Sequence, residues 1–296
     1  MHRIYTTMFW FSILLAATSA VLLFTYGLNF GVDFKGGSVV EFVFHPSVGG
    51  EKPTPDDFKN ALAETGLTDV SVSFTGDSGI ILRTKELSEE KHQNILSVLQ
   101  NKFSGIEEKR FESVGPVIGK ELKNKSITAV TLVLLSVITY IAIVFRKLSR
   151  ALSPWVMGFA AIVALLHDVI IPLGVFAVLG KFYGVEISAV FVAAVLTILG
   201  YSVADTVVIF DRVRENVIRG GGGSSFSGIV HKSILQTLTR SLNTTFTTLL
   251  SLFAIYFFGG ESIRYFALAL IMGIFLGAYS SIFVASPLLV RWSRMK

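Results

Sequence analysis

The sequence predicts an α-helical membrane bundle of six transmembrane helices, with one small α+β domain inserted after the first helix. Three observations lead there. The chain is 52% hydrophobic and only 16% charged, with a mean hydropathy of +0.64, a balance typical of membrane proteins. Six apolar stretches reach the ~20 residues that a bilayer core requires: about 8–28, 126–145, 155–179, 187–210, 241–258 and 265–290. Between the first two, residues 39–114 replace apolar runs with alternation, turns and caps. The expected division is therefore a first span within 1–28, an inserted domain at 29–122, and five further spans within 123–296 with a flexible cytoplasmic loop at about 212–240.

The first span carries a poor cleavage site at Thr18-Ser-Ala20, and its apolar run continues through Val21-Leu-Leu-Phe24. That is too long for the apolar region of a signal peptide, so a retained span is the reading. Gly31-Val-Asp-Phe-Lys-Gly-Gly-Ser38 follows. Its glycines suit a phosphate loop poorly, because the Lys-Ser/Thr ending and spacing of such a loop are missing. Gly31, Gly36 and Gly37 fit a hinge between membrane and inserted domain, since glycine permits backbone angles that a pivot needs. Whether Asp33 does more than belong to this turn stays open.

Within the inserted domain, Val39–Phe44 reads as a strand and Thr54-Pro-Asp-Asp57 as a helix start, with a hydroxyl N-cap, Pro at the first position and carboxylates in the first turn. Val70–Phe74 alternates with period two, and Gly76-Asp-Ser-Gly79 turns into Ile80–Arg83, which suggests a hairpin. Ser88-Glu-Glu90 opens a second helix, and Ile106–Val114 supplies a last strand. The order β-α-β-β-α-β is the split βαβ, ferredoxin-like pattern. No residue of this domain looks catalytic.

The short segments between spans carry the topology. Arg146, Lys147 and Arg150 separate spans two and three, and Arg212, Arg214, Arg219, Lys232 and Arg240 separate spans four and five. Arg3 precedes the first span, while Arg291, Arg294 and Lys296 follow the last. With six spans all of these fall on one side, which the positive-inside rule makes the cytoplasm. Both termini are then cytoplasmic and residues 29–122 lie outside. The net charge of +5 does not point to nucleic acid, because 29–122 holds 10 Lys/Arg against 15 Asp/Glu and the remainder 16 against 6. The positive charge belongs to the membrane part. With no cysteine and five scattered histidines, no disulfide framework and no metal or other cofactor is expected.

Span three contains His167-Asp168 near its middle, an expensive pair unless it is partnered or reaches a cavity. The two side chains point about 100° apart on a helix of 3.6 residues per turn, so a bond between them is not expected. A relay role and a structural buried pair are both open. Span four contains Asp205, whose insertion costs about 2.5–3.5 kcal/mol at a helix centre, so the default reading is functional. Asp211, Arg212, Arg214 and Glu215 end the apolar run, which places Asp205 roughly 9 Å inside it at about 1.5 Å per residue. Such a carboxylate can exchange protons with one aqueous side, and a moving cation can switch its protonation. The alternative is an Asp bonded permanently to a neighbouring hydroxyl.

Span five carries a polar stripe of Thr237, Arg240, Ser241, Thr244, Thr247, Thr248 and Ser251 at helical spacing. Polar groups at membrane depth belong against protein or water, so the stripe is expected to face Asp205. Arg240 would then be its counter-ion, or else a snorkelling arginine at the membrane boundary. Gly273 and Gly277, continued by Ser281 and Ala285, make a small-residue face on span six that allows close helix packing in the bundle or at a partner. Arg219-Gly-Gly-Gly-Gly-Ser-Ser-Phe226 reads as a flexible linker.

Three segments in order, Gly31–Ser38, Gly200-Tyr-Ser-Val-Ala-Asp-Thr-Val-Val-Ile-Phe-Asp-Arg-Val-Arg-Glu-Asn216 and Thr237-Leu-Thr-Arg-Ser-Leu-Asn-Thr244, resemble the SecF family over essentially the whole chain. That resemblance implies a non-enzymatic subunit of bacterial protein export. It would pair with SecD beside the Sec translocation channel in the inner membrane, and use the proton motive force to pull or release the translocating polypeptide. It also implies a fold shared with the resistance-nodulation-division transporters, with SecD and SecF as pseudo-symmetric halves. By the same resemblance Asp205 is the membrane carboxylate used in proton movement and Arg240 its partner. The glycine-rich linker departs from the charged loop expected of the family. Two rival classes are a small-molecule proton antiporter subunit on the same half-fold and a structural membrane scaffold. Under the scaffold reading Asp205→Asn would leave function intact.

Overall fold

The computed structural model describes residues 3–45, 53–67, 70–75, 78–146, 153–219 and 225–293. Its elements in chain order are α1 (Arg3–Tyr26), α2 (Val32–Lys35), β1 (Gly37–Phe44), α3 (Pro55–Ala63), β2 (Val70–Thr75), β3 (Gly79–Thr84), α4 (Glu89–Lys102), β4 (Ile106–Val114), α5 (Pro116–Val144), α6 (Pro154–Tyr183), α7 (Ala189–Arg219), α8 (Phe226–Phe258), α9 (Glu261–Ser280), a π-helical turn (Ser281–Ala285) and α10 (Ser286–Ser293). They form two compact units, Phe30–Lys125 and Met1–Asn29 with Ser126–Lys296.

The first unit is a four-stranded antiparallel sheet in the order β2-β3-β1-β4. Because β3 lies antiparallel between β1 and β2, those two run parallel with a strand inserted between them, which is the split βαβ arrangement. Alternation along β1 turns Val40, Phe42 and Phe44 to one face, where they pack with Ile80 and Leu82 of β3, Phe58 and Leu62 of α3, and Ile95 and Leu99 of α4. Thr54 starts α3 with a capping box, its hydroxyl accepting from the Asp57 N–H (3.3 Å) while its own N–H donates to Asp57 Oδ2 (2.8 Å). Those hydrogen bonds from Thr54 hold the Asp57 carboxyl below the usual carboxylate range. The cap is therefore intact above that range and weakens only as pH falls through the depressed value.

Gly36 and Gly37 have φ of +80° and +125°. A Cβ on Gly36 would lie 2.7 Å from Pro116 Cα, and one on Gly37 2.7 Å from the Thr84 carbonyl oxygen. Both positions combine a backbone angle that resists side chains with contact against backbone that cannot yield. Gly37→Ala is accordingly expected to destabilise this unit by roughly 1–3 kcal/mol. A lowered thermal midpoint for the sheet signal in the full chain checks it, and an unchanged midpoint refutes it.

Among the described residues six helices are long and apolar enough to cross a membrane: α1, α5, α6, α7, α8 and the last, which runs as α9, the π turn and α10. Apolar residues gain little by leaving lipid for a helix interface, so close packing and hydrogen bonds hold such a bundle. Close packing is visible at three glycines. A Cβ on Gly174 of α6 would meet the Ser19 backbone of α1 at 2.7–2.8 Å. Gly273 and Gly277 of α9 sit against Ile198 and Ser202 of α7, where a Cβ would come within 2.3 and 3.0 Å. The small-residue face on span six therefore packs inside the bundle.

Two segments differ from expectation. α7 continues through the charged cluster to Arg219, and α8 begins at Phe226, so most of 212–240 is helix rather than loop. Ion pairs one turn apart stabilise that extension: Arg214–Asp211 at 2.8 Å, Arg212–Glu215 at 2.6 Å and Arg219–Glu215 at 2.8 Å. Ser225 caps α8, its hydroxyl accepting from the Gly228 N–H at 3.3 Å. The glycine run 220–224, the hairpin tip 76–77, and Lys147, Arg150, Arg294 and Lys296 lie outside the described residues.

Candidate functional site

Asp205 is buried on α7, on the face that also carries Ser202 one turn earlier and Thr206 beside it. Three helices close around this face. From α8 come Ser241 and Thr245, both buried. From α9 and the π turn come Ser280 and Ser281, and from α6 comes Asp168, all three with no exposed surface. The Ser241 and Ser281 hydroxyls and the Arg240 guanidinium lie within electrostatic reach of the Asp205 carboxylate.

What sets Asp205 apart is incomplete pairing. Asp205 Oδ2, Ser241 Oγ and Thr245 Oγ1 are buried without a hydrogen-bond partner among the described residues, and so is Tyr201 Oη on the same helix. Buried polar atoms are ordinarily satisfied, and each orphan costs about 1–3 kcal/mol. An unpaired carboxylate oxygen with the Ser241 and Ser281 hydroxyls in reach is a site able to take up a proton. No group of three His, Cys, Asp or Glu able to hold a metal occurs among the described residues.

Asp168 stands in contrast. Both its oxygens are occupied: Oδ1 faces His167 Nδ1 at 2.9 Å, and Oδ2 accepts from Ser202 at 2.6 Å and from Ser280 at 2.7 Å. The expectation that His167 and Asp168 do not bond each other is corrected here. Their backbones do point apart, but the imidazole folds back, its ring stacked 6.2 Å from Tyr279, and reaches its neighbour. Pro172 one turn later has no N–H to bond the Asp168 carbonyl. His167 Nε2 is buried and unpartnered among the described residues.

The stripe on span five divides. Thr237, Ser241 and Thr245 face inward at four-residue spacing, whereas Thr244 and Thr247 are exposed and Thr248 half-buried. These three bond their own helix: Thr244 donates to the Arg240 carbonyl (3.0 Å), Thr247 to Asn243 (2.9 Å) and Thr248 to Thr244 (2.9 Å). Such back-bonding satisfies a hydroxyl without a tertiary partner, so the spacing alone does not say which hydroxyls face the carboxylate. Arg240 is exposed on α8 and lines a cavity of about 410 Å³ with Tyr140, Asp211, Arg212, Arg214 and Gln236. It makes no ion pair within 4 Å among the described residues.

Sequence reasoning missed Thr245, Ser202, Thr206, Ser280 and the π turn. A hydroxyl three residues before Asp205 was a readable signal for Ser202. The others are defined only by which helices meet. The hinge segment folds as the short α2, with Gly31 as its N-cap and Asp33 in its first turn.

Residues 94–295 match the family described as protein export membrane protein SecD/SecF, C-terminal, and residues 21–48 match the SecD/SecF GG motif. The protein translocase subunit SecF of Thermobaculum terrenum is 44% identical over 95% of this chain and 90% of its own length. That of Haemophilus influenzae is 38% identical over 93% and 80%. A SecDF translocase subunit of Brucella abortus is 36% identical over 95% of this chain and 35% of its own. Among solved structures, the crystal structure of SecDF from Thermus thermophilus, titled a translocon-associated membrane protein, superposes with a TM-score of 0.81 at 33% identity. It covers 98% of this chain, which spans 38% of the solved chain. Six apolar spans, a small antiparallel sheet unit after the first of them, and full-length likeness to these relatives identify the chain as a multi-pass membrane protein that belongs to the SecF family.

Proposed function

We propose that this chain is a proton-driven accessory of Sec protein export, a motor without covalent chemistry that works with a SecD partner beside the translocation channel and acts on polypeptide emerging outside. The export role and the SecD partnership are supported by the names of its SecF and SecDF relatives. Proton coupling is supported by one observation above all: a buried membrane carboxylate, Asp205, one of whose oxygens finds no partner among the described residues. A proton is the ligand that a lone membrane carboxylate takes most readily, and Arg240, within electrostatic reach, would modulate it. The exposed row of Arg240, Thr244 and Thr247 on α8, and α5, of whose apolar window only 6% is buried against 67% for the last span, fit a second six-span half packing here.

Export of a preprotein by membrane vesicles holding this chain and its SecD partner tests the coupling. Export should rise when a proton gradient is imposed and fall to its gradient-free level with an uncoupler. Export indifferent to the gradient overturns the reading.

The orientation follows the basic residues: inner membrane, both termini cytoplasmic, residues 29–122 outside. The chain has no cysteine, so single substitutions report cleanly. Glu90→Cys on the sheet unit should react with a membrane-impermeant maleimide in intact cells, and Lys232→Cys on α8 only after permeabilisation. The reverse pattern would invert the topology.

A further inference from the structure

Asp168 is a buried ionisable group that the proposed proton site does not use, and its surroundings are built differently from those of Asp205. Three donors, His167 Nδ1, Ser202 Oγ and Ser280 Oγ, meet its two oxygens at 2.6–2.9 Å. Those donors come from three helices, so the carboxylate ties α6 to α7 and to the end of α9. Immediately after Ser280 the chain leaves α-helical register for the π turn Ser281–Ala285, a rare conformation that commonly marks functional sites. The Ser286 hydroxyl donates to the Ser281 carbonyl at 2.7 Å, and Pro287 has no N–H to donate to the turn before it. Ser281 itself keeps α-helical angles (φ −57°, ψ −37°) and its N–H bonds the Gly277 carbonyl, so it continues directly from Ser280. It points at α7: Ser281 Oγ lies 2.8 Å from Thr206 Oγ1 and within reach of Asp205.

We propose that Asp168 is a positioning residue for the Asp205 site: by anchoring Ser280, next to Ser281, and Ser202, one turn before Thr206, it fixes where α9 meets α7 and so sets the Ser281–Thr206 hydroxyl pair beside Asp205. It does not itself carry the proton. This inference rests on the proton-coupled reading of Asp205 and deepens it. The titratable and charged groups facing the site are His167 and Asp168 of α6, Tyr201 and Asp205 of α7, Arg240 of α8 and Tyr279 of α9. Because the two carboxylates are also within electrostatic reach of each other, loss of the Asp168 charge alone would perturb Asp205. The test therefore has to separate charge from position.

The experiment uses the full chain with its SecD partner in proteoliposomes. It reads the protonation of Asp205 by infrared difference spectra against Asp205→Asn, alongside gradient-driven export across pH. Asp168→Asn keeps a carbonyl acceptor for one serine and is the mild variant; Ser281→Ala and Thr206→Val probe the far end of the chain of contacts without touching Asp168. Asp168→Asn and Ser281→Ala are each expected to move the Asp205 midpoint in the same direction by about tenfold in proton concentration, with export persisting at a shifted optimum. Combined, they should move it no further than one alone, because both remove the same placement. Fully additive shifts would mean that Asp168 acts by charge, and an unmoved midpoint in Asp168→Asn would mean that it acts on nothing at Asp205. Loss of gradient-driven export at every pH in Asp168→Asn, with assembly intact, would mean that it carries protons. Each of the three overturns the proposal. If instead Asp205→Asn keeps full gradient dependence, the functional reading fails by itself, whatever the infrared midpoints show.

Discussion

Asn at position 205 is expected to bring gradient-driven export down to its gradient-free level while leaving the complex assembled. The amide has nearly the shape of the carboxylic acid and can accept and donate the same hydrogen bonds, yet it exchanges no proton at any working pH. It also removes a charge whose insertion costs about 2.5–3.5 kcal/mol at a helix centre, so thermal stability should stay level or rise. The joint result of preserved or raised melting temperature and lost coupling is what separates a site kept for function from one kept for structure. A structural Asp205 would show the opposite pair, with lowered stability and unaltered gradient response. The neighbouring orphans sharpen the comparison. Ser241→Ala and Thr245→Val delete buried hydroxyls that have no partner among the described residues, so they should not destabilise the bundle. Each should nonetheless slow proton-driven export, if these hydroxyls solvate the proton on its way to Asp205.

A second large effect is expected from the smallest possible substitution, Gly174→Ala. A Cβ there would stand 2.6 Å from Ser19 Cβ, 2.7 Å from its Cα and 2.8 Å from its carbonyl oxygen. The obstacle is backbone, so α1 and α6 must separate along their contact rather than let one side chain turn aside. Overpacking of this kind costs about 1–3 kcal/mol in well-packed cores, and here it also strains the seat of a helix otherwise mostly exposed, with only 11% of its apolar window buried. Gly200→Ala is the matched control. Nothing lies within 4 Å of its added methyl, and Ala gains up to about 1 kcal/mol of helix propensity over Gly. Melting of the detergent-solubilised protein should therefore fall for Gly174→Ala and hold or rise for Gly200→Ala. Equal behaviour of the two would show that the α1–α6 approach is not a packing constraint.

Neither Gly174 nor Ser19 stood out in the sequence, for a physical reason. Gly273 and Gly277 show themselves by four-residue spacing on one helix, but Gly174 is a lone glycine whose partner sits on a distant helix. The same holds for the hydroxyls. That Asp205 is buried and costly was legible from apolar neighbours alone, and so was the charged end of α7. Which of the span-five hydroxyls turn toward it was not, because every Ser and Thr on a helix can satisfy itself on the carbonyl one turn back. The same cause hid the contrast between the two carboxylates. Asp168 and Asp205 are both single carboxylates in apolar helices, and although His167 precedes Asp168, the serine donors that saturate it come from other helices.

By itself the sequence determined that this chain crosses a membrane six times, that a split βαβ unit follows the first span, and that the family is SecF. Those properties are periodic or local: apolar length, strand alternation, caps, and three short motifs read in order. Only the tertiary structure decided that Asp168 is saturated while Asp205 is not, that Ser241 and Thr245 rather than Thr244 and Thr247 are buried, and that Ser281 meets Thr206. Those depend on helix rotation and depth. Within a bundle they are set by which glycines allow which backbones to touch, and no single helix carries that information.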